Sequence, residues 1–324
     1  MEKIFVTFPP SGIVKVLLKE FNTSYNEEER VLSKEEIIER ARDATALMTT
    51  LVDKIDRDII FSLPNLKVIS NCAAGYDNID IEAAKERKVA VTNTPGIVTK
   101  ATADIAMALI LAVSRRIIEA DRFLRAGKFE GWRFNLFQGI DLNRKVLGIV
   151  GMGKIGKEVA QRAIGFGMRI IYYSRHRLPE SEERILSATY YPLDELLKIA
   201  DVVSLHVPLT PETRHLINKE RLQLLKPGAI LINTARGPVV DEQALIEALK
   251  EKRIFGAGLD VYENEPYVPP ELMELDNVVL LPHIGSATVE TRQTMLIEAI
   301  QNMLKVLEGE KPDSYVYLPQ LDEN

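Results

Sequence analysis

The clearest indication of the fold is the segment Val146-Leu147-Gly148-Ile149-Val150-Gly151-Met152-Gly153-Lys154-Ile155-Gly156. Its apolar first half predicts a buried strand, and the helical pattern that follows runs through Gly165. Gly151 permits a tight turn, Gly153 lets the backbone approach a phosphate, and Gly156 lets helix and strand pack closely. A structural glycine turn is the alternative. Between a strand and a helix, however, the G-x-G-x-x-G pattern favours a dinucleotide whose pyrophosphate lies at the helix N-terminus.

Working outward, apolar runs alternate with helical patterns along almost the whole chain, which predicts βα units and parallel sheets. Six strand candidates after residue 140 match a doubly wound dinucleotide domain. They are Lys145–Val150, Met168–Tyr173, Asp201–His206, Ala229–Ile232, Ile254–Leu259 and Asn277–Leu281. An earlier series contains Lys3–Phe8, Ala44–Thr49 and Lys67–Asn71. A long helical stretch from about Lys100 to Ala126 separates the two series, and Ser33 with Glu36 predicts a capping box.

Composition limits the function classes. The chain has 324 residues with 46% hydrophobic and 27% charged residues, as expected for a globular protein of two domains. Its net charge of −6 gives no basic surface for nucleic acid. The single cysteine, Cys72, excludes an intramolecular disulfide and is interpreted as a buried, inert thiol. No apolar run is long enough for a membrane span, so we expect a cytoplasmic protein.

The end of the second strand of this domain bears on the cofactor. A carboxylate there would hydrogen-bond the ribose of NAD and repel a 2′-phosphate. Instead the sequence has Ser174 and Arg175, and the nearest acid, Glu180, lies beyond Pro179. Arg175 can hold a phosphate through two parallel hydrogen bonds, although it can also stack on adenine. The sequence favours NADP(H) and leaves NAD(H) possible.

Three segments at predicted strand ends carry acid–base groups. Arg236 follows a buried strand, Glu265 lies in the loop after Leu259, and His283 ends the last strand before a Gly-Ser turn. Ligands bind beyond the carboxyl ends of the strands in such sheets. Taken singly, each of these residues is more typical of a solvated surface.

The motifs together resemble those of the D-isomer-specific 2-hydroxyacid dehydrogenase family, and most closely its glyoxylate/hydroxypyruvate reductase branch. The glycine loop, the segment 206–210, the Arg236 segment, Asp260–Pro266 and Pro282-His283 come in the family's order. The resemblance implies an α/β protein with two doubly wound parallel-sheet domains. A flavodoxin-like substrate domain would comprise residues 1–98 and 289–324, and a Rossmann dinucleotide-binding domain residues 99–288. Substrate and nicotinamide would meet between them.

The resemblance implies a catalytic role for each of the three residues. His283 would donate a proton to the oxygen that gains negative charge when a ketone accepts hydride. Glu265 would pair with His283, favour its charged form and orient it. Arg236 would bind the substrate carboxylate and carbonyl in bidentate fashion. Asp260 would contact the nicotinamide amide. No metal site is predicted.

The glycine loop, the end of the next strand and the family motifs together predict the ligand contacts. The cofactor-binding positions are Thr102, Gly151, Gly153, Lys154, Ile155, Gly156, Ser174, Arg175, His206, Val207, Pro208, Thr210, Thr234, Ala235, Arg236, Asp260, His283 and Gly285, with Val98 also near the nicotinamide. The substrate-binding positions are Leu51, Ala74, Gly75, Arg236 and His283. The backbone N–H groups of Ala74 and Gly75 would accept a carboxylate as a nest does.

The expected reaction is reduction of glyoxylate or hydroxypyruvate to the D-2-hydroxy acid. A phosphoglycerate dehydrogenase of the same family is the alternative substrate assignment, and a dinucleotide-sensing, corepressor-like binding protein is the alternative from another class. Formate dehydrogenases are disfavoured because they carry Gln where Glu265 stands. The segment around Trp132 resembles a dimer interface of relatives, so a homodimer is expected, although these aromatic residues would equally suit intramolecular packing.

Overall fold

The computed structural model describes residues 2–319, which divide into two compact units. Unit 1 comprises residues up to Val98 together with those from Ala287 onward, and unit 2 comprises Thr99–Ser286. Each unit has a parallel sheet with helices, so the predicted α/β class with two doubly wound sheets is confirmed.

Unit 1 has a five-stranded parallel sheet in the order β2-β1-β3-β4-β5. Its strands are β1 (Lys3–Val6), β2 (Asn22–Tyr25), β3 (Ala46–Thr49), β4 (Val68–Asn71) and β5 (Ala90–Thr92). Its helices are α1 (Gly12–Leu17), α2 (Lys34–Arg40), α3 (Arg57–Ser62), α4 (Ile81–Glu86) and, from the end of the chain, α13 (Val289–Leu307). The predicted capping box at Ser33 and Glu36 opens α2. Helix α13 packs on β3, β4 and β5, so the last helix returns to the sheet built by the first hundred residues.

Unit 2 has a seven-stranded parallel sheet in the order β12-β11-β10-β9-β6-β7-β8. Its strands are β6 (Val146–Val150), β7 (Arg169–Tyr173), β8 (Ala188–Tyr190), β9 (Val202–Leu205), β10 (Ile230–Asn233), β11 (Gly256–Leu259) and β12 (Val278–Leu280). Its helices are α5 (Thr99–Ser114), α6 (Ile117–Arg125), α7 (Lys154–Gly165), α8 (Glu180–Ile185), α9 (Leu193–Ile199), α10 (Lys219–Leu224), α11 (Glu242–Lys250) and α12 (Pro270–Met273), and a 3-10 turn spans Gly237–Val239.

Two details of unit 2 correct the sequence interpretation. Six strands were expected, but the sheet has a seventh, β8, at its edge. With only three residues, β8 is too short to produce an apolar run in the sequence. The helical stretch from Lys100 to Ala126 is two helices, because the Ser114 carbonyl accepts the N–H of Ile140 at 2.7 Å. Arg116 then adopts a left-handed conformation with φ 53°. The backbone therefore turns between α5 and α6.

The order of the strands reverses direction between β6 and β9, which are hydrogen-bonded neighbours. Val150 pairs with Leu205, so the segments that follow both strands leave the sheet side by side. In doubly wound sheets the crevice at such a reversal is where ligands bind. Buried aliphatic side chains from the helices cover both faces of this sheet and hold the strand ends in register.

Candidate active site

The glycine loop joins β6 to α7 with almost no spare volume. Gly151 has φ 99°, and a Cβ atom there would lie 2.7 Å from the His206 backbone. A Cβ atom on Gly156 would collide with the Gly151 carbonyl. Gly153, in contrast, would place a Cβ atom in open space, with no other atom within 4 Å. The first and third glycines are thus required by packing, while the second leaves the backbone accessible.

Gly153 is the N-cap of α7 and offers no side chain to its first turn. The N–H groups of this turn therefore face the open space without a side-chain acceptor, and Lys154 lies beside them, exposed. A twelve-residue helix adds its dipole, which favours a negative group at this end. Gly151, Gly153, Lys154, Ile155 and Gly156 thus fit the pyrophosphate of a dinucleotide.

The end of β7 has the cationic character expected from the sequence. Arg175 is exposed and forms no salt bridge within residues 2–319. Ser174 accepts the Met152 N–H at 2.7 Å, which fixes its hydroxyl beside the glycine loop. The nearby acid Glu183 is nearly buried and neutralised by Arg177, 2.8 Å away. Because Arg177 and a tyrosine hydroxyl hold this carboxylate, it is not directed to a ribose.

Two buried polar atoms near the strand ends of unit 2 have no hydrogen-bond partner in the described part of the chain. They are Nδ1 of His206, after β9, and Oγ1 of Thr234, after β10. Buried polar groups are normally satisfied, so these two atoms mark places where a ligand would supply the partner. Burial lowers the pKa of His206 to about 3, so its imidazole is neutral at physiological pH. Its Nε2 atom is 2.8 Å from Oγ of Ser204.

The Arg236 loop is shaped by its own strand. The Asn233 side chain donates to the Arg236 carbonyl at 2.9 Å and accepts the Ala235 N–H at 3.0 Å. Arg236 is partly buried, and its Nη1 atom donates to the Ala235 carbonyl at 2.9 Å. Gly237, next in the chain, packs directly on the Tyr262–Glu263 peptide, where no side chain would fit. Two loops that are distant in sequence are therefore in contact.

His283 and Glu265 form the pair that the sequence predicts. Nδ1 of His283 lies 2.8 Å from Oε2 of Glu265, and the other carboxylate oxygen accepts the Tyr262 N–H at 3.0 Å. Burial opposes ionisation of Glu265, but the hydrogen bond and charge of His283 outweigh it, and the pKa of Glu265 is lowered. The charge of Arg236 acts in the same direction. The three residues predicted to be catalytic are therefore neighbours in unit 2.

Asp260 holds the turn that carries His283. Its buried carboxylate accepts the N–H groups of Ile284 and Gly285, both at 2.7 Å. His283 has φ 55°, a left-handed conformation that costs a non-glycine residue about 1–3 kcal/mol. The two charge-assisted hydrogen bonds offset that cost, and Oγ1 of Thr102 donates to the Gly285 carbonyl at 3.2 Å. Burial raises the pKa of Asp260, against the effect of these N–H donors and of His283.

A cluster that the sequence did not single out lies behind this site. His215, which belongs to none of the motifs identified in the sequence, places Nε2 2.7 Å from Oε1 of Glu263. Glu263 also accepts the backbone N–H of Glu242, and Glu242 in return accepts that of Glu263. The His215 N–H donates to the Pro238 carbonyl at 2.7 Å. No spacing in the sequence links these residues. The only signal is that the segment Asp260–Glu265 contains three carboxylate side chains, which need hydrogen-bond donors where they are buried.

The predicted substrate positions of unit 1 follow the ends of its strands. Leu51 comes after β3, and Ala74 and Gly75 lie in the loop after β4, all partly exposed. Cys72, in the same loop, is buried as expected, and burial raises its pKa to about 12, which favours the thiol over the reactive thiolate. Val98 is also buried.

Further features concern partners and metals. Trp132 and Phe134 are 80% and 77% exposed, with their ring centroids 6.2 Å apart. Within residues 2–319, His, Cys, Asp and Glu form no group of three or more suited to a metal ion. Among the helices of the same range, none combines the length and apolar character needed to cross a bilayer.

Comparisons with known proteins agree with this geometry. The family model for the D-isomer specific 2-hydroxyacid dehydrogenase NAD binding domain matches residues 107–285. A glyoxylate reductase of Thermococcus litoralis is 51% identical over 320 residues, which cover 97% of this chain and 96% of that protein.

Solved structures are similar over the whole chain. The TT0316 protein from Thermus thermophilus has a TM-score of 0.91 and 45% identity, covering 97% of this chain and 100% of that one. The NADPH-dependent glyoxylate/hydroxypyruvate reductase of Sinorhizobium meliloti, solved with NADP and malonate, has a TM-score of 0.88 and 33% identity, covering 97% and 96%. With its glycine loop and strand-end residues in the matched region, the chain belongs to the D-isomer-specific 2-hydroxyacid dehydrogenase family and is a nicotinamide-dependent dehydrogenase.

Proposed function

We propose that this enzyme reduces glyoxylate or hydroxypyruvate to the corresponding D-2-hydroxy acid. The observation that carries the proposal is the 2.8 Å contact between His283 and Glu265, with Arg236 close enough for its charge to act on the same carboxylate. An acid, its orienting carboxylate and a fixed cation are what a keto acid needs beside a hydride donor. The similarity to a glyoxylate reductase over nearly the whole chain supports this choice of substrate.

Each residue has a distinct task in this proposal. The bound nicotinamide supplies the hydride. His283 delivers the proton to the carbonyl oxygen through its Nε2 atom, because Nδ1 faces Glu265. Glu265 balances the charge of the imidazolium and sets its orientation. Arg236 binds the substrate carboxylate and polarises the ketone. Asp260 keeps the His283 turn in its strained conformation, and whether it also contacts the nicotinamide amide stays a prediction.

The two units have separate proposed roles. Residues 99–288 form the dinucleotide-binding domain, in which Thr102, the glycine loop, the segment from His206 to Thr210, Thr234, Ala235 and Gly285 contribute to the cofactor site. Residues 1–98 and 289–324 form the substrate-binding domain, in which Leu51, Ala74 and Gly75 contact the keto acid. The unpartnered atoms of His206 and Thr234 support the first assignment.

We further propose that NADPH is preferred over NADH. Arg175 is exposed and forms no salt bridge among residues 2–319, although its charge acts on Glu212. The one nearly buried acid that follows β7, Glu183, is neutralised by Arg177. A 2′-phosphate at the end of β7 would therefore meet a cation and a hydroxyl.

The exposed Trp132 and Phe134 support a homodimer, since adjacent aromatic side chains of this exposure are typical of an interface. Light scattering should give twice the mass of the chain. In the double variant Trp132→Ser/Phe134→Ser it should give a single mass if these side chains form the interface.

A kinetic panel tests the substrate and cofactor. Purified protein should oxidise NADPH with glyoxylate or hydroxypyruvate faster than with 3-phosphohydroxypyruvate, and NADH should be the poorer donor. Equal or better turnover of the phosphorylated acid would assign the enzyme as a phosphoglycerate dehydrogenase instead.

A further inference from the structure

Two side-chain amides hold the carbonyl groups of the loop after β4. Nδ2 of Asn93 donates to the Ala74 carbonyl at 2.7 Å, and Nδ2 of Asn71 donates to the Gly75 carbonyl at 2.9 Å. Asn71 is fully buried and Asn93 nearly so. Water cannot readily replace either donor, so both carbonyl oxygens are fixed on the protein side of the loop.

The N–H groups of the same two residues are left open. Within residues 2–319, the backbone N–H groups of Ala74 and Gly75 make no hydrogen bond to any acceptor. Both residues are partly exposed. Because a carbonyl lies in one rigid plane with the N–H of the next residue, the bond from Asn93 to the Ala74 carbonyl orients the Gly75 N–H. The Ala73 carbonyl accepts the Thr94 N–H at 2.9 Å, which orients the Ala74 N–H in the same way. Consecutive peptides that are held through their oxygens and have open N–H groups form a site for an anion. The anion would replace the solvent that otherwise satisfies these donors.

The orientation of Asn71 is fixed by its own partners. Its Oδ1 atom accepts the Thr49 hydroxyl at 3.0 Å, while Nδ2 also donates to Oδ1 of Asn78 at 3.0 Å. A flipped amide would lose these contacts and present an oxygen to the Gly75 carbonyl.

Asn78 extends the network to the other predicted substrate segment. Its Nδ2 atom donates to the carbonyls of Thr50 and Asp53, at 3.0 and 2.9 Å. These residues flank Leu51. The Asp53 carboxylate in turn accepts the hydroxyls of Thr7 and Thr50. The segments at residues 51 and 74–75 are therefore connected by one partly buried chain of hydrogen bonds.

We infer that Asn71 and Asn93 are positioning residues for a carboxylate site formed by the N–H groups of Ala74 and Gly75. Asn93 orients the peptide that carries the Gly75 N–H, and Asn71 fixes the peptide that follows Gly75. Asn78 links this carboxylate site to the Leu51 segment. The inference rests on the proposed function in one respect, namely that the carboxylate is that of the 2-keto acid. Neither amide touches the substrate, so both act through the backbone.

The test measures carboxylate binding without turnover. Protein labelled with 15N-alanine and 15N-glycine, saturated with NADP+, is titrated with oxamate while the amide resonances of Ala74 and Gly75 are followed. These resonances should shift saturably in the wild type. Asn93→Ala and Asn71→Ala should each weaken the oxamate affinity about tenfold, as expected for loss of a buried hydrogen bond that orders the site. Affinity for NADP+ should stay unchanged.

Asn26→Ala is the matched control. Asn26 is also a fully buried asparagine of unit 1, but its Nδ2 atom donates to the carbonyls of Thr7 and Arg30, away from the loop after β4. It should bind oxamate like the wild type. If thermal unfolding shows that Asn71→Ala does not fold, the oxamate affinities of Asn93→Ala and Asn93→Ser are compared with that of Asn26→Ala instead.

The outcomes separate this inference from the proposed function. Wild-type affinity in the Asn93 variants, unshifted resonances in the wild type, or an equal loss in Asn26→Ala would each overturn the inference. Glyoxylate turnover by the wild type is measured separately. Its absence, together with a tenfold loss of oxamate binding confined to the loop variants, would refute the reductase assignment and leave the carboxylate site standing.

Discussion

Both sheets are parallel, but the side chains at their carboxyl edges differ in chemistry. In unit 2 the edge carries Glu265, whose negative charge is stabilised by His283 and Arg236. In unit 1 the corresponding edge carries neutral amides, Asn71 and Asn93, which order the backbone. A group that must gain or lose a proton needs charged neighbours, whereas a group that only presents N–H donors needs rigid ones. In the proposed function the charged edge serves proton transfer, and the neutral edge serves recognition of the carboxylate.

The largest effect should come from the charged edge. His283→Ala removes the proton donor, so kcat with glyoxylate should fall by about 10²–10⁴-fold. Binding of NADPH, measured by fluorescence titration, should be retained. Wild-type turnover in this variant would show that another group supplies the proton. The edge in unit 2 would then not be the site of proton transfer.

Glu265→Gln should lower turnover less than His283→Ala does. The glutamine side chain keeps the shape of glutamate and one hydrogen-bond acceptor, but it loses the negative charge. Loss of a charge-assisted hydrogen bond to His283 should lower kcat/KM by about 10–100-fold. The pKa of Glu265 is lowered in the folded protein. Ionised Glu265 therefore stabilises the folded state at pH values above the ordinary carboxyl pKa of about 4.3. This stabilisation is lost as the pH falls through the lowered pKa and the carboxylate becomes protonated. Thermal unfolding from pH 3 to 7 should show this acid-dependent loss in the wild type and not in Glu265→Gln.

Arg175, the exposed cation at the end of β7, should contribute to the binding of NADPH but not of NADH. Arg175→Ala should raise KM for NADPH about tenfold, the equivalent of one charge-assisted hydrogen bond, and leave KM for NADH unchanged. Arg184→Ala, which removes an exposed arginine paired with Glu180, serves as the control. An unaltered preference for NADPH would place the 2′-phosphate elsewhere.

The smallest effect should arise at the neutral edge. Asp53 is only 2% exposed, and burial raises its pKa against the hydrogen bonds of Thr7 and Thr50. The native state therefore binds a proton more readily than the unfolded state, so stability falls as pH rises above the ordinary aspartate pKa of about 4. Asp53→Asn retains an acceptor and should remove this loss, seen as a flatter dependence of unfolding free energy on pH. An identical pH dependence in both proteins would contradict a raised pKa.

Local sequence was sufficient for much of the fold. The glycine loop, the capping box at Ser33 and the apolar strands are each determined by short-range patterns, and the structure has them. The break between α5 and α6 was missed because it depends on the N–H of Ile140, which lies 26 positions after Ser114 in the sequence. Strand β8 was missed because its three residues are too few to show the alternation of apolar and polar side chains that indicates a strand.

The candidate site divides in the same way. Arg236, Glu265 and His283 were identifiable because each belongs to a motif, and the structure brings them together. The pairing of His215 with Glu263, and the contacts of Asn71 and Asn93 with backbone carbonyls, depend on tertiary packing between segments without a shared spacing. Hydrogen bonds from a side chain to a distant peptide leave no periodic signal for sequence reasoning to detect.

The contact of Gly237 with the Tyr262–Glu263 peptide joins the backbones beside two of the charged side chains in this site. Because these backbones touch directly, the loop that carries Arg236 cannot shift toward the loop that carries Glu265. A side chain at position 237 would have to displace the Tyr262 carbonyl, and the loop that leads to Glu265 would move with it. A residue without a side chain thus constrains the backbone from which both charged groups extend.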